Sequence, residues 1–301
     1  MLSSRPVLSA VLGALAIAFS ALLVRYADVS PVTAAVFRCV YALPALWLLA
    51  RREDRAFGPR PIAARRLAWV AGILFALDLI FWHHAIEAVG AGLATVLGNL
   101  QVVIVGIIAW ALLGEKPARS LLVAAPIALL GVVLISGVVG SNVYGDDPPL
   151  GVFYGILTAL MYSGFILILR RGGSDLRRPA GPLFDATLAA AIVATLIGAL
   201  SGGLDLAPEW PAHGWLIALA LTSQVLGWLL ISISLPRLPA ALTSVLLTIQ
   251  PVGSVFLGML LLRERPSFSQ LLGVALIVSG VVLAAAARRR SKEKVLEIEA
   301  L

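Results

Sequence analysis

Residues Thr95 to Ser136 read TVLGNLQVVIVGIIAWALLGEKPARSLLVAAPIALLGVVLIS, and residues Ser244 to Ala285 read SVLLTIQPVGSVFLGMLLLRERPSFSQLLGVALIVSGVVLAA, without a gap and at a constant offset of 149. Gln101 matches Gln250, Leu112 and Leu113 match Leu261 and Leu262, Glu115 matches Glu264, Pro117 matches Pro266, and the run GVVL begins at both Gly131 and Gly280. Each copy holds two apolar stretches of about twenty residues, each long enough to cross about 30 Å of hydrocarbon. A short Glu-(Lys/Arg)-Pro turn joins them. The pattern is that of a duplicated membrane protein.

Composition agrees. Of 301 residues, 60% are apolar and 13% charged, where globular chains carry about a quarter charged. The lone cysteine, Cys39, excludes an intramolecular disulfide and a thiolate zinc cluster. The net charge of +7 comes from basic residues clustered beside apolar spans, so membrane topology explains it and no nucleic-acid partner is expected. The basic-then-apolar start, Arg5 followed by residues 7–24, imitates a signal peptide, but the many apolar spans after it favour an uncleaved first helix.

The expected fold is all-α and integral to the membrane. Ten transmembrane helices fall at about 7–24, 32–50, 67–86, 91–113, 120–138, 150–169, 183–201, 214–235, 240–262 and 269–287. Lys and Arg number 19 on one side of this arrangement and three on the other, which places both termini in the cytoplasm. Five spans per copy is odd, so the second copy enters the bilayer from the opposite side. The expected organisation is a first five-helix repeat over 1–140, a second, inverted repeat over 149–287, and a basic cytoplasmic tail over 288–301. Fainter echoes extend the repeat: Gly13 and Ser20 correspond to Gly155 and Tyr162, and Trp69 and Trp82 to Trp215 and Trp228. Inverted repeats create a pseudo-two-fold axis in the membrane plane, the geometry of alternating-access carriers. Gly151, Gly155, Ala159 and Ser163 form a small-residue stripe suited to close helix packing.

Ten spans in two halves, LGEKP and LRERP closing the fourth and ninth spans, and glycine-valine runs in the fifth and tenth together resemble the EamA type of the drug/metabolite transporter superfamily. The resemblance covers nearly the whole chain. It implies helices around a central cavity and export of small metabolites or amino acids from a bacterial-type cytoplasmic membrane. Relatives that export aromatic amino acids make that substrate class one expectation.

Polar groups at membrane depth are the site candidates, because a charge at a helix centre costs about 2.5–3.5 kcal/mol on insertion scales. Asp78 lies near the middle of the third span and shares a helical face with Phe75 and Trp82. The eighth span carries Gln224 and Trp228 at the corresponding place. A carboxylate flanked by rings can hold an ammonium group by charge and cation-π attraction; alternatively Asp78 pairs with Arg38 or satisfies a backbone gap. Proton coupling through Asp78 is a further reading. Arg38 either snorkels or faces the cavity and grips a carboxylate, with Tyr41 three residues on.

The fourth and ninth spans contribute Thr95 with Ser244 and Asn99 with Thr248 as a candidate pocket wall, while Gln101 and Gln250 point the other way and fit interhelical hydrogen bonds. Tyr162 on the sixth span is a deeper wall candidate. Glu115, Glu264 and Asp185 read as turn and interface structure. His83, His84 and Glu87 have ligand-like types but lack convergent partners, so neither a metal nor a cofactor is expected.

The leading expectation is a secondary carrier, with a small-molecule substrate, the lipid bilayer as solvent and an oligomeric state that sequence leaves open. The chain has no GxxxxGK phosphate loop. The alternatives are an intramembrane enzyme, disfavoured because Asp78 and His83 face different ways and no GxSxG elbow is present, and a lipid- or drug-handling membrane protein.

Overall fold

The computed structural model describes residues 5–101, 103–104, 107–108, 119–136, 143–172, 175, 177–234, 247 and 249–299. Every regular element among them is helical: α1 Pro6–Ala18, α2 Ser20–Ala27, α3 Pro31–Phe57, α4 Ile62–Val89, α5 Ala91–Gly98, α6 Arg119–Ile135, α7 Pro148–Gly172, α8 Ala180–Ser201, α9 Ala212–Leu219, a π-helical stretch Ala220–Gly227, α10 Trp228–Ser234, α11 Ile249–Leu261 and α12 Phe268–Glu299. Among the described residues, six stretches are long and apolar enough to cross a membrane, Pro6–Ala27, Pro31–Phe57, Ile62–Val89, Pro148–Leu169, Ala180–Ser201 and Ala212–Ser234, and three shorter apolar helices accompany them.

Local chemistry sets the helix ends. The Ser30 hydroxyl accepts from the Thr33 amide and Pro31 occupies the first helical turn of α3, where a missing N–H costs nothing. Gly90, at φ 87°, breaks the chain between α4 and α5, a conformation that a side chain would disfavour. The long helices outrun the apolar windows read from sequence: α3 continues through Arg51, Arg52 and Arg55 to Phe57, since these residues are adequate helix formers once past the hydrocarbon. α12 likewise continues to Glu299, so the backbone of the expected tail is helical through that residue. The last spans expected in each repeat begin as read, but 109–118 and most of 235–248 lie outside the described residues.

Outward faces are apolar: Leu129, Phe256 and Leu260 are each more than half exposed, as befits helices whose solvent is lipid. Inside, small residues bring backbones together. A Cβ at Gly131 would lie 2.6 Å from the Gly273 carbonyl oxygen, and one at Gly273 would lie 2.6 Å from the Gly131 carbonyl oxygen. Gly280 meets the Ala124 carbonyl in the same way, at 3.0 Å. The 149-residue offset maps Gly131 onto Gly280 and Ala124 onto Gly273, so the two contacts between α6 and α12 exchange with each other, as an inverted repeat requires. The stripe on α7 packs as expected, Gly151 against Val89 and Gly155 against Leu97, with Ala159 fully buried.

α3 and α8 are tied at both ends. At one end the Ser30 hydroxyl donates to the Gly203 carbonyl at 2.6 Å and the Asp205 amide donates to the Thr33 hydroxyl at 2.9 Å. At the other, Glu53 accepts from the amides of Ala180 and Gly181 at 2.9 and 2.7 Å, and Arg178 donates to the carbonyls of Phe57 and Gly58. Asp185, expected at an interface, is 1% exposed and lies 3.0 Å from Arg60 and 3.5 Å from Arg65.

Candidate functional site

Five helical elements converge on Arg38. It sits two turns into α3, 3% exposed, so it does not snorkel. Its Nε donates to Gln224 Oε1 at 3.0 Å and its Nη1 to Ser20 Oγ at 3.0 Å. Gln224 is fixed in turn, its Nε2 donating to Thr187 Oγ1 at 3.1 Å. α2, α3, α8 and the π-helical stretch are thereby joined by one polar chain. From α4, Phe75 and Trp82 flank the guanidinium, with Cζ 6.0 and 5.7 Å from their ring centroids, within cation-π range.

Asp78 stands on α4 between those two rings, 6% exposed. Among the described residues its carboxylate makes no hydrogen bond, and no ion pair within 4.0 Å joins it to Arg38. Arg38 Nη2 likewise carries no hydrogen bond among them. A buried carboxylate and a buried guanidinium therefore lie close enough to interact through their charges, each with hydrogen-bonding capacity left among the described residues, although buried polar groups are nearly always paired.

Rings pack beside this pair. Phe75 stacks on Phe165 at 4.5 Å, and the edge of Trp228 meets Phe75, Phe165 and Tyr162 at 6.1, 5.2 and 5.9 Å, all near perpendicular. Such edge-to-face contacts match the positive rim of one ring to the negative face of the next.

Of the residues singled out in the sequence, Asp78, Trp82, Arg38, Tyr162, Gln224 and Trp228 meet here. The others do not. The Tyr41 hydroxyl lies 2.5 Å from His213 Nδ1, in a separate aromatic group with Phe37. Thr95 and Asn99 turn back on their own helix, donating to the carbonyls of Ala91 at 2.9 Å and Thr95 at 2.8 Å; Asn99 borders a narrow cleft with Val96, Pro251 and Ile277. Ser244 and Thr248 lie outside the described residues. His83 is buried and bonded to the Pro31 carbonyl at 2.9 Å. Ser20, Thr187 and Phe165 complete the cluster without having been singled out. Ser20 carried a signal, since the repeat aligns it with Tyr162, and Phe165 follows Tyr162 by one helical turn. Thr187 carried none.

The sequence profile of the EamA-like transporter family matches residues 4–137 and, a second time, residues 149–286. The chain belongs to the EamA-like transporter family. This EamA-like chain is 25% identical over 231 residues to the uncharacterized transporter YwfM of Bacillus subtilis, 75% of either protein. A solved crystal structure shares its fold with a TM-score of 0.63 at 20% identity, over 95% of this chain and 98% of the other. Family and fold together make the EamA-like chain a multi-pass membrane transporter handling a small molecule within the bilayer.

Proposed function

We propose that this transporter exports amino acids with aromatic or large apolar side chains, and that Asp78 and Arg38 receive the two charged ends of the substrate. The observation that carries the reading is the unpartnered Asp78 carboxylate beside an incompletely bonded Arg38, both under a cluster of four rings. Asp78 offers its oxygens to an ammonium group, and Arg38 Nη2 offers donors to a carboxylate. A zwitterion brings no net charge, so the chamber stays balanced with substrate bound and empty. A simple organic cation or anion would leave one buried charge in excess, which low-dielectric surroundings penalise. Phe75, Phe165, Tyr162 and Trp228 then offer apolar surface to the side chain.

The exchange symmetry of α6 and α12 supports alternating access about the pseudo-two-fold axis, with the chamber midway through the bilayer. The 19-to-three bias of Lys and Arg supports cytoplasmic termini in a bacterial-type inner membrane, with one repeat on either side of residues 141–148. Asp78 is also the group through which a proton could be exchanged for substrate.

The test is reconstitution in proteoliposomes with a panel of aromatic, aliphatic and charged amino acids and organic cations, with and without an imposed pH gradient. Transport led by phenylalanine, tyrosine or tryptophan is expected. Preference for a non-zwitterionic cation would overturn the assignment of Arg38, and rates unmoved by the gradient would remove proton coupling.

A further inference from the structure

The ends of α11 and α5 are bridged by one carboxylate. α11 terminates in a tight wrap: the amides of Leu262 and Glu264 both donate to the Gly258 carbonyl at 3.1 Å, and Arg263 takes φ 57° to let the chain turn. This turn directs the Glu264 side chain back across the gap between repeats. Glu264 is 3% exposed and accepts from the Ala91 amide at 2.6 Å and the Gly92 amide at 3.2 Å. Those amides open α5, where free N–H groups and the positive end of the helix dipole attract an anion.

Three glycines clear the space. A Cβ on Gly90 would lie 2.9 Å from Glu264 Oε1, one on Gly92 would lie 3.3 Å from Oε2, and one on Gly258 would overlap Oε2. No Lys or Arg lies within 4.0 Å of this carboxylate among the described residues. It is held by backbone alone. When the contact parts, water can satisfy both the carboxylate and the amides, so the closure is reversible at modest cost, unlike a buried ion pair whose members must be separated.

We propose that Glu264 is the latch of the outer end of the substrate path, joining the two repeats through the first turn of α5. The offset of 149 carries Glu264 onto Glu115 and Ala91–Gly92 onto Ala240–Ala241, at the opposite ends of the same two spans; these counterparts lie outside the described residues. In sequence, Gly258 corresponds to Ala109. The inference rests on the alternating-access reading and its orientation, but not on the identity of the substrate.

The experiment measures labelling of a cysteine at Thr95, one turn below the latch, by a membrane-impermeant maleimide added to sealed vesicles without substrate. The background carries Cys39→Ser, and a cysteine at Ser291 in parallel vesicles reports orientation. Glu264→Gln replaces a charged acceptor by an amide and is expected to raise outer labelling on the order of tenfold, the effect of losing a charge-assisted hydrogen bond. Gly258→Ala displaces only the flexible end of Glu264 and is expected to act in the same direction without altering charge. Glu115→Gln, the same loss of charge at the matching position of the other repeat, is the control and is expected not to raise outer labelling. Outer labelling unchanged by Glu264→Gln and Gly258→Ala would overturn the latch, and equal rises in all three variants would overturn it in favour of general loosening. Failure of amino-acid transport alone leaves these labelling ratios unaffected, so the two readings fail separately.

Discussion

Two buried polar regions sit on neighbouring helices and solve the same problem differently. Thr95 and Asn99 on α5 each return a donor to a carbonyl of their own helix. Asp78 on α4, equally buried, makes no hydrogen bond among the described residues and meets Arg38 only through longer-range charge, and Arg38 is itself only partly bonded. Polarity at membrane depth is met in one region by the helix's own backbone and in the other is left open, the difference on which the proposed role of Asp78 rests.

Substitutions can break that contrast. Asp78→Asn removes the charge while keeping the shape, and transport in proteoliposomes is expected to fall on the order of 100-fold with elution behaviour unchanged; retention of near-native transport would make Asp78 merely structural. Arg38→Lys keeps the charge but cannot hold Gln224, Ser20 and a carboxylate together, so a loss of about tenfold or more, carried mainly by weaker substrate binding, is expected from concentration-dependent initial rates. Phe165→Ala opens the ring cluster and is expected to lower the ratio of aromatic to aliphatic transport by several-fold, roughly the worth of an aromatic pair. Asn99→Ala loses a bond that its own helix supplied, and transport within about twofold of the parent is expected. An Asn99 effect as large as that of Asp78 would erase the distinction between the two regions.

Much of this contrast was legible in the chain. The offset of 149 revealed the duplication, and hydropathy located the spans, because lipid enforces long apolar helices. Asp78, Trp82, Gln224 and Trp228 stood out since their spacing and their match between halves placed them together. What failed to show was which polar residue would be satisfied locally. Thr95 and Asn99 had the right types and the right spacing, but whether a side chain bonds back to its own helix depends on a rotamer choice that sequence does not carry. The π-helical stretch holding Gln224 was equally hidden: it has no proline to announce it, and its widened turn re-aims side chains relative to regular helical spacing. Thr187 sits in an alanine-rich run whose inward face only tertiary packing defines. Tyr41 was drawn towards Arg38 by spacing, yet His213, distant in sequence, claims its hydroxyl.

The backbone-to-backbone crossing of α6 and α12 has a mechanical consequence. Rotation about the pseudo-two-fold axis turns the Gly131–Gly273 contact into the Ala124–Gly280 contact and back again, so swapping the roles of the halves rebuilds the same joint from the same four residues. On the alternating-access reading proposed above, this crossing is the fulcrum, rebuilt from the same four residues at each stroke, and distinguishing one side of the membrane from the other falls to helices elsewhere.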